Sequence, residues 1–214
     1  MLLFSGTSNQ PLAEKIAEEL KISLAPSEVV RFADGEVRVR LLSDVFKQHM
    51  VVVQSLSDPG DSNLIELCQF AEIGKRKKAK KITAIIPYLA YARQHRAHRE
   101  GETIAVKLVA SFLKAAGFNE VILVDLHEEE ALKYFKIPVL ELSAIDTFSK
   151  YIDNHRDDFG GDNLVIVAPD HGRQKAAENL ASYLVVKSAV IEKTRSLEQA
   201  DTVYSCKLLG EVKN

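Results

Sequence analysis

Four short runs of almost unbroken apolar, mostly β-branched residues limit what this chain can fold into more than any other feature. They are Met50-Val51-Val52-Val53-Gln54, Ile82-Thr83-Ala84-Ile85-Ile86, Val121-Ile122-Leu123-Val124 and Leu164-Val165-Ile166-Val167. A strand with one wet face alternates apolar and polar residues, so runs without alternation belong to strands covered on both faces. Helical spacing fills the intervals. Residues 11–20 follow Asn9 and repeat Leu12, Ile16 and Leu20; residues 63–75 carry Leu64, Leu67 and Cys68 on one side. Residues 104–116 carry Ile104, Leu108 and Phe112 and stop at Gly117, the residue type that most easily takes a left-handed cap. Buried strands alternating with helices predict an α/β fold with a mostly parallel sheet.

A change of domain is expected near Ser143. Ile137-Pro138-Val139-Leu140 reads as a short closing strand. A helix from about Asp146, a Gly160-Gly161 turn and the run from Leu164 then start a fresh α/β unit. The expected division is therefore 1–142 and 143–214.

Charge and composition narrow the partners. With 28 basic and 30 acidic residues the net charge is −2, so no global field draws the chain to nucleic acid or a membrane. Cys68 and Cys206 form no CxxC pair, which leaves two reduced thiols as the expectation. The opening MLLFSGTSNQ has no basic segment before its apolar residues, and no apolar run reaches the roughly 18 residues of a membrane span. A cytoplasmic location is expected. The run Lys75-Arg76-Lys77-Lys78-Ala79-Lys80-Lys81 has two readings: solvated charge complementing a helix C-terminus, or a phosphate or nucleic-acid patch. It lacks the interleaved aromatics of a single-strand platform.

Open α/β sheets bind ligands beyond the carboxyl ends of their strands. Three such ends are rich in chemistry. Ile85-Ile86-Pro87-Tyr88 runs into Arg93-Gln94-His95-Arg96, with His98 and Arg99 beyond, and guanidinium groups suit phosphate oxygens. Val124-Asp125-Leu126-His127-Glu128-Glu129-Glu130 offers oxygen and nitrogen ligands for a hard cation. Ala168-Pro169-Asp170-His171-Gly172-Arg173 offers an acid to a metal or sugar hydroxyl and a cation to phosphate. No GxxxxGK[ST], GxGxxG or GxSxG motif occurs, so any nucleotide handling rests on side-chain cations and a metal rather than a glycine-rich loop.

Taken in order, these segments resemble the ribose-phosphate pyrophosphokinases. The resemblance runs through Gly6-Thr7-Ser8-Asn9, Arg31-Phe32-Ala33-Asp34-Gly35-Glu36, Gln54-Ser55 and Asn63-Leu64-Ile65-Glu66-Leu67. It continues through Ile86-Pro87-Tyr88, Tyr91-Ala92-Arg93-Gln94, Asp125-Leu126-His127, Pro169-Asp170-His171-Gly172 and Glu192-Lys193-Thr194-Arg195 to Leu209-Gly210-Glu211-Val212. It implies two phosphoribosyltransferase-like α/β domains with mostly parallel sheets. It also implies transfer of diphosphate from Mg-ATP to ribose 5-phosphate, giving 5-phosphoribosyl 1-diphosphate and AMP, in a homo-oligomer, dimer or hexamer. By the same resemblance Phe32, Asp34 and Glu36 receive the adenine of ATP bound by a neighbouring subunit. Arg93 and Gln94, helped by Arg96, contact the ATP phosphates. His127 and Asp170 are magnesium positions, and Lys193 and Arg195 are the mobile catalytic cations.

Several positions depart from that pattern. His95 and His98 stand where acids are usual, Thr103 where proline is usual, and Glu128-Glu129-Glu130 where a small residue and later a glutamine are common. The Asp-Asp-x-x-x-Thr loop that cradles ribose 5-phosphate in the family is not found before Asn214. The expectation is thus an incomplete second domain, and the alternative to the enzyme is a truncated, catalytically silent nucleotide-binding or regulatory homologue.

Overall fold

The structure, a computed structural model, describes residues 1–126, 128–195 and 203–212, with backbone alone for 193–195 and 203–205. Two compact units divide it, Met1–Leu142 and Ser143–Asn214.

In the first unit a five-stranded, all-parallel sheet has the order β1-β4-β5-β6-β7. Its strands are β1 (Leu2–Ser5), β4 (His49–Val53), β5 (Lys81–Ile86), β6 (Glu120–Val124) and β7 (Val139–Leu142). The expected runs 50–54, 82–86 and 121–124 are thus strands, shifted by a residue at most. The closing strand lies two residues later than the sequence suggests, because Pro138 has no N–H and serves instead by its carbonyl, which accepts from Val121 N at 3.0 Å.

Helix α1 (Gln10–Glu19) covers one face, where Ala13 and Ala17 meet Leu3, Val51 and Val53. Helices α2 (Gly60–Arg76) and α3 (Ala105–Ala116) cover the other, over Phe4, Met50, Val52, Ile82, Ala84, Ile86, Val121 and Leu123. The apolar spacing finds the covered side of α1 but not that of α3. In α1 Leu12 and Ile16 pack beside Ala13 and Ala17 against the sheet, and only Leu20 is exposed; in α3 the buried face is Val106, Val109, Ala110 and Leu113, with Leu108 and Phe112 turned out. Gly117 ends α3 at φ +120°, where a side chain would be strained.

After α1 the chain returns beside β1, where Leu24 forms an isolated parallel bridge to Leu3. It then crosses to β4 through a two-stranded antiparallel hairpin, β2 (Ser27–Arg31) and β3 (Val37–Leu41), packed on α2. The winding direction therefore reverses between β1 and β4.

The second unit has a three-stranded sheet, order β10-β9-β8: β8 (Val165–Ala168) parallel to β9 (Lys187–Arg195), and β10 (Val203–Leu209) antiparallel to β9. Helix α4 (Ile145–Asn154) buries no residue within the unit, whereas α5 (Gln174–Leu184) packs Ala177 over Ala168 and Val190.

Candidate functional site

The crevice at a point of winding reversal is where an open α/β sheet ordinarily accepts a ligand. Here buried polar side chains meet the turn after β1. Gln54, fully buried beyond β4, accepts at Oε1 from Ser8 N at 3.1 Å, and the Ser8 hydroxyl lies 2.7 Å from both that oxygen and Ser55 O. Glu66, fully buried on α2, accepts from Thr7 N and Thr7 Oγ1, each at 2.7 Å. Gly6 is needed where these meet, because a Cβ there would stand 2.2 Å from Gln54 Oε1. The Gly6-Thr7-Ser8, Gln54-Ser55 and Glu66 matches are therefore a buried polar joint rather than ligand contacts. A sequence contains no signal for that joint, since Gln54 and Glu66 lie 46 and 59 residues from the Ser8 and Thr7 they bond.

The cationic segment lies one strand further on, in the loop from β5 to α3. Arg93, Gln94 and Arg96 are all exposed there. The backbone beneath them is pinned at several points. Tyr91, at φ +63°, donates its hydroxyl to Asp61 in the first turn of α2, a bond that raises its phenol pKa. Gln94 N donates to Tyr91 O at 2.9 Å. Glu102 accepts from His98 N at 2.8 Å and Arg99 N at 3.1 Å, and these bonds, His98 first, hold its carboxyl below the ordinary range. His95 points inward with a side chain only 8% exposed, and its Nε2 is 3.8 Å from Glu130 Oε2. Tyr134 Oη donates to His95 O at 2.9 Å. The loop after β5 and the segment after β6 are thus packed against one another.

On the β6 side, Asp125 has a positive φ of +43°, and Leu126 N donates to Glu141 Oε1 at 3.0 Å. His127, the expected metal position, lies outside the described residues. A 3-10 helix, Glu129–Tyr134, follows.

The hairpin carries Phe32, Asp34 and Glu36 at its tip. Phe32 N donates to Glu36 O and Gly35 N to Phe32 O, each at 2.9 Å, and Gly35 supplies the φ of +90° that the turn requires. Glu36 N donates to Asp34 Oδ1 at 3.1 Å, which occupies one carboxylate oxygen of Asp34. The Phe32 ring is 45% exposed, with the Arg38 guanidinium 5.3 Å from its centroid. Within the first unit, the tip and the loop of Arg93 are each hydrogen-bonded to the start of α2, through Arg31 to Ser62 and through Tyr91 to Asp61.

In the second unit Asp170 follows β8 and caps the 3-10 helix His171–Arg173, Oδ1 accepting from Arg173 N at 3.1 Å. Lys193 and Arg195 belong to the final stretch of β9; their side chains lie outside the described residues. Among the described residues no cluster of three or more His, Cys, Asp or Glu is set to hold a metal. Magnesium is commonly held by one or two carboxylates together with substrate phosphates, and a lone Asp170 carboxylate after a strand is an oxygen donor of that kind.

These features define an α/β protein whose parallel sheet presents a pinned, cation-bearing loop at its carboxyl edge. Residues 1–117 match the N-terminal domain of ribose phosphate pyrophosphokinase. A ribose-phosphate pyrophosphokinase of Fusobacterium nucleatum is 41% identical over 210 residues, covering 98% of this chain and 65% of the relative. Ribose-phosphate pyrophosphokinase 1 of Streptococcus pyogenes is 38% identical over the same shares. The crystal structure of phosphoribosylpyrophosphate synthetase from Mycobacterium smegmatis superposes with a TM-score of 0.88 at 36% identity, covering 99% of this chain and 67% of that one. The chain belongs to the ribose-phosphate pyrophosphokinase family. It spans 65% of the length of the first two relatives.

Proposed function

We propose that this chain binds Mg-ATP and takes part in ribose-phosphate diphosphokinase chemistry, transferring diphosphate to ribose 5-phosphate. The observation that carries the reading is the loop of Arg93, Gln94 and Arg96, exposed at the carboxyl edge of the sheet on a backbone fixed by Asp61, Glu102 and Tyr134. Guanidinium groups on a rigid backbone are already in position when the triphosphate arrives, which reduces the ordering cost of binding.

In the proposed reaction the C1 hydroxyl of the sugar attacks the β-phosphorus of ATP in line. The new C1 oxygen–phosphorus bond forms as the bond to the α-phosphate oxygen breaks, and AMP leaves. Such a transfer needs positioning and charge neutralisation more than covalent help. Arg93, Gln94 and Arg96 hold the phosphates, and Lys193 and Arg195 offset charge on the transferred group. Phe32 stacks on the adenine of an ATP held by a neighbouring subunit, with Asp34 and Glu36 accepting from its amino group. His127 and Asp170 would hold magnesium, which when bound supplies further neutralisation of the phosphate charge. The same reading carries a homo-oligomer and a cytoplasmic enzyme. No helix among the described residues is long and apolar enough to cross a membrane.

The test is to follow AMP and 5-phosphoribosyl 1-diphosphate from ATP, magnesium and ribose 5-phosphate. Arg93→Ala should weaken ATP binding by about tenfold, the equivalent of one charge-assisted hydrogen bond. Lys193→Ala should reduce turnover and spare ATP binding. ATP that fails to bind the unaltered chain rejects the proposal. ATP that binds without AMP release favours the silent nucleotide-binding homologue.

A further inference from the structure

The buried Glu66 carboxylate has no part in the chemistry just described, and its surroundings are unusually specific. It has no solvent exposure, and two of its donors come from Thr7, at the turn after β1. A buried carboxylate is tolerated only when its oxygens are satisfied. The third partner is Arg31, whose Nη2 is 3.5 Å from Glu66 Oε2 while its Nη1 donates to Ser62 Oγ. Arg31 is the last residue of β2, immediately before the tip that carries Phe32, Asp34 and Glu36.

A second grip lies one turn further along α2. Gln69 accepts from Val39 N at 3.0 Å and donates to Val37 O at 2.7 Å, so its amide serves the outer edge of β3 as a neighbouring strand would. Ser62, Glu66 and Gln69 are spaced four and three apart and share one helix face. A two-stranded ribbon alone is marginally stable in water. Here one face of α2 holds the ribbon by its backbone and by Arg31, and Thr7 fixes α2 to the sheet.

We infer that Glu66 is a positioning residue for purine recognition: through Arg31 it sets the height and orientation of the hairpin tip. The inference rests on the reading of that tip as an adenine site. It deepens that reading by making base specificity depend on a buried residue that never touches the base. Discrimination between ATP and GTP should respond to Glu66 and Arg31, because their amino and carbonyl groups are arranged differently at the tip. Affinity for the triphosphate itself should not respond, because Arg93 and Gln94 are mounted separately through Tyr91 and Asp61.

The experiment compares the unaltered full chain with Glu66→Gln and Arg31→Gln. The second variant alters a side chain 41% exposed, which keeps the test usable if the buried substitution unfolds the protein. Hydrogen exchange without nucleotide should show the amides of residues 32–37 exchanging about tenfold faster in both variants, with the amides of β4 and β5 unchanged. Calorimetric titration with ATP, GTP and inorganic tripolyphosphate should show the ATP preference falling about fivefold with tripolyphosphate binding unaltered. Unchanged exchange at 32–37 overturns the tether. Variants that keep the full ATP preference overturn the positioning role alone. An unaltered chain that binds ATP and GTP equally overturns the adenine reading of the tip, and this role with it, while the exchange data still report the tether itself.

Discussion

His95 Nε2 lies 3.8 Å from Glu130 Oε2, and the Nδ1 of the same ring is buried without a hydrogen-bond partner. The two residues are 35 positions apart in sequence, and the fold brings them together. Glu130 also accepts from Lys133, and this bond, then the charges of His95 and Arg96, holds its carboxyl below the ordinary range.

If the contact joins the two loops, its removal from either side should have the same effect. The double variant His95→Gln, Glu130→Gln should be less destabilised than the sum of the single variants in urea unfolding. Strict additivity would mean that the two residues act independently.

Gly6 tests the buried joint at the winding reversal. In Gly6→Ala the new methyl would meet Gln54 Oε1 at 2.2 Å and Glu66 Oε1 at 3.0 Å. Neither side chain can retreat without giving up its bonds to Thr7 and Ser8. Overpacking of this kind costs about 1–3 kcal/mol, to be read as a lower urea midpoint at unchanged slope. An unchanged midpoint would show that the joint yields freely.

His49 gives the first unit a pH dependence. Its Nε2 shares a hydrogen bond of 2.9 Å with the buried Thr83 hydroxyl, and burial first, then the charge of Lys81, hold its pKa below the ordinary 6.5. The unfolded chain therefore binds a proton that the folded chain resists. The contribution is complete above 6.5 and is lost as pH falls through the folded value. The melting temperature should drop from about pH 7 to about pH 5, and drop less in His49→Gln. Equal drops in both proteins would remove His49 as the cause.

The two thiols should react unequally. Cys206 is exposed, whereas Cys68 is half-buried on α2 and burial pushes its pKa up to about 11. Only the thiolate is nucleophilic, so near neutral pH iodoacetamide should label Cys206 first and reach Cys68 only on unfolding. Mass spectrometry of timed digests reads the order directly. Prompt labelling of Cys68 would contradict its burial.

The sequence by itself determined the α/β class, the strands near 50, 82, 121 and 164, and the family, because each depends on short stretches whose chemistry is local. Uninterrupted apolar runs favour cover on both faces whatever the order of strands, although in β8 Val167 is 42% exposed. It did not determine which stripe of α3 meets the sheet. Close packing against a parallel sheet favoured Val106, Val109 and Leu113 there, and spacing of large residues cannot anticipate that. Nor did it separate ligand contacts from internal joints. Gly6-Thr7-Ser8, Gln54 and Glu66 match the family as clearly as Arg93 and Gln94 do, yet three-dimensional pairing satisfies the first set internally and leaves the second exposed. A buried polar group must find its partner wherever the chain returns, and only the tertiary structure decides where that is.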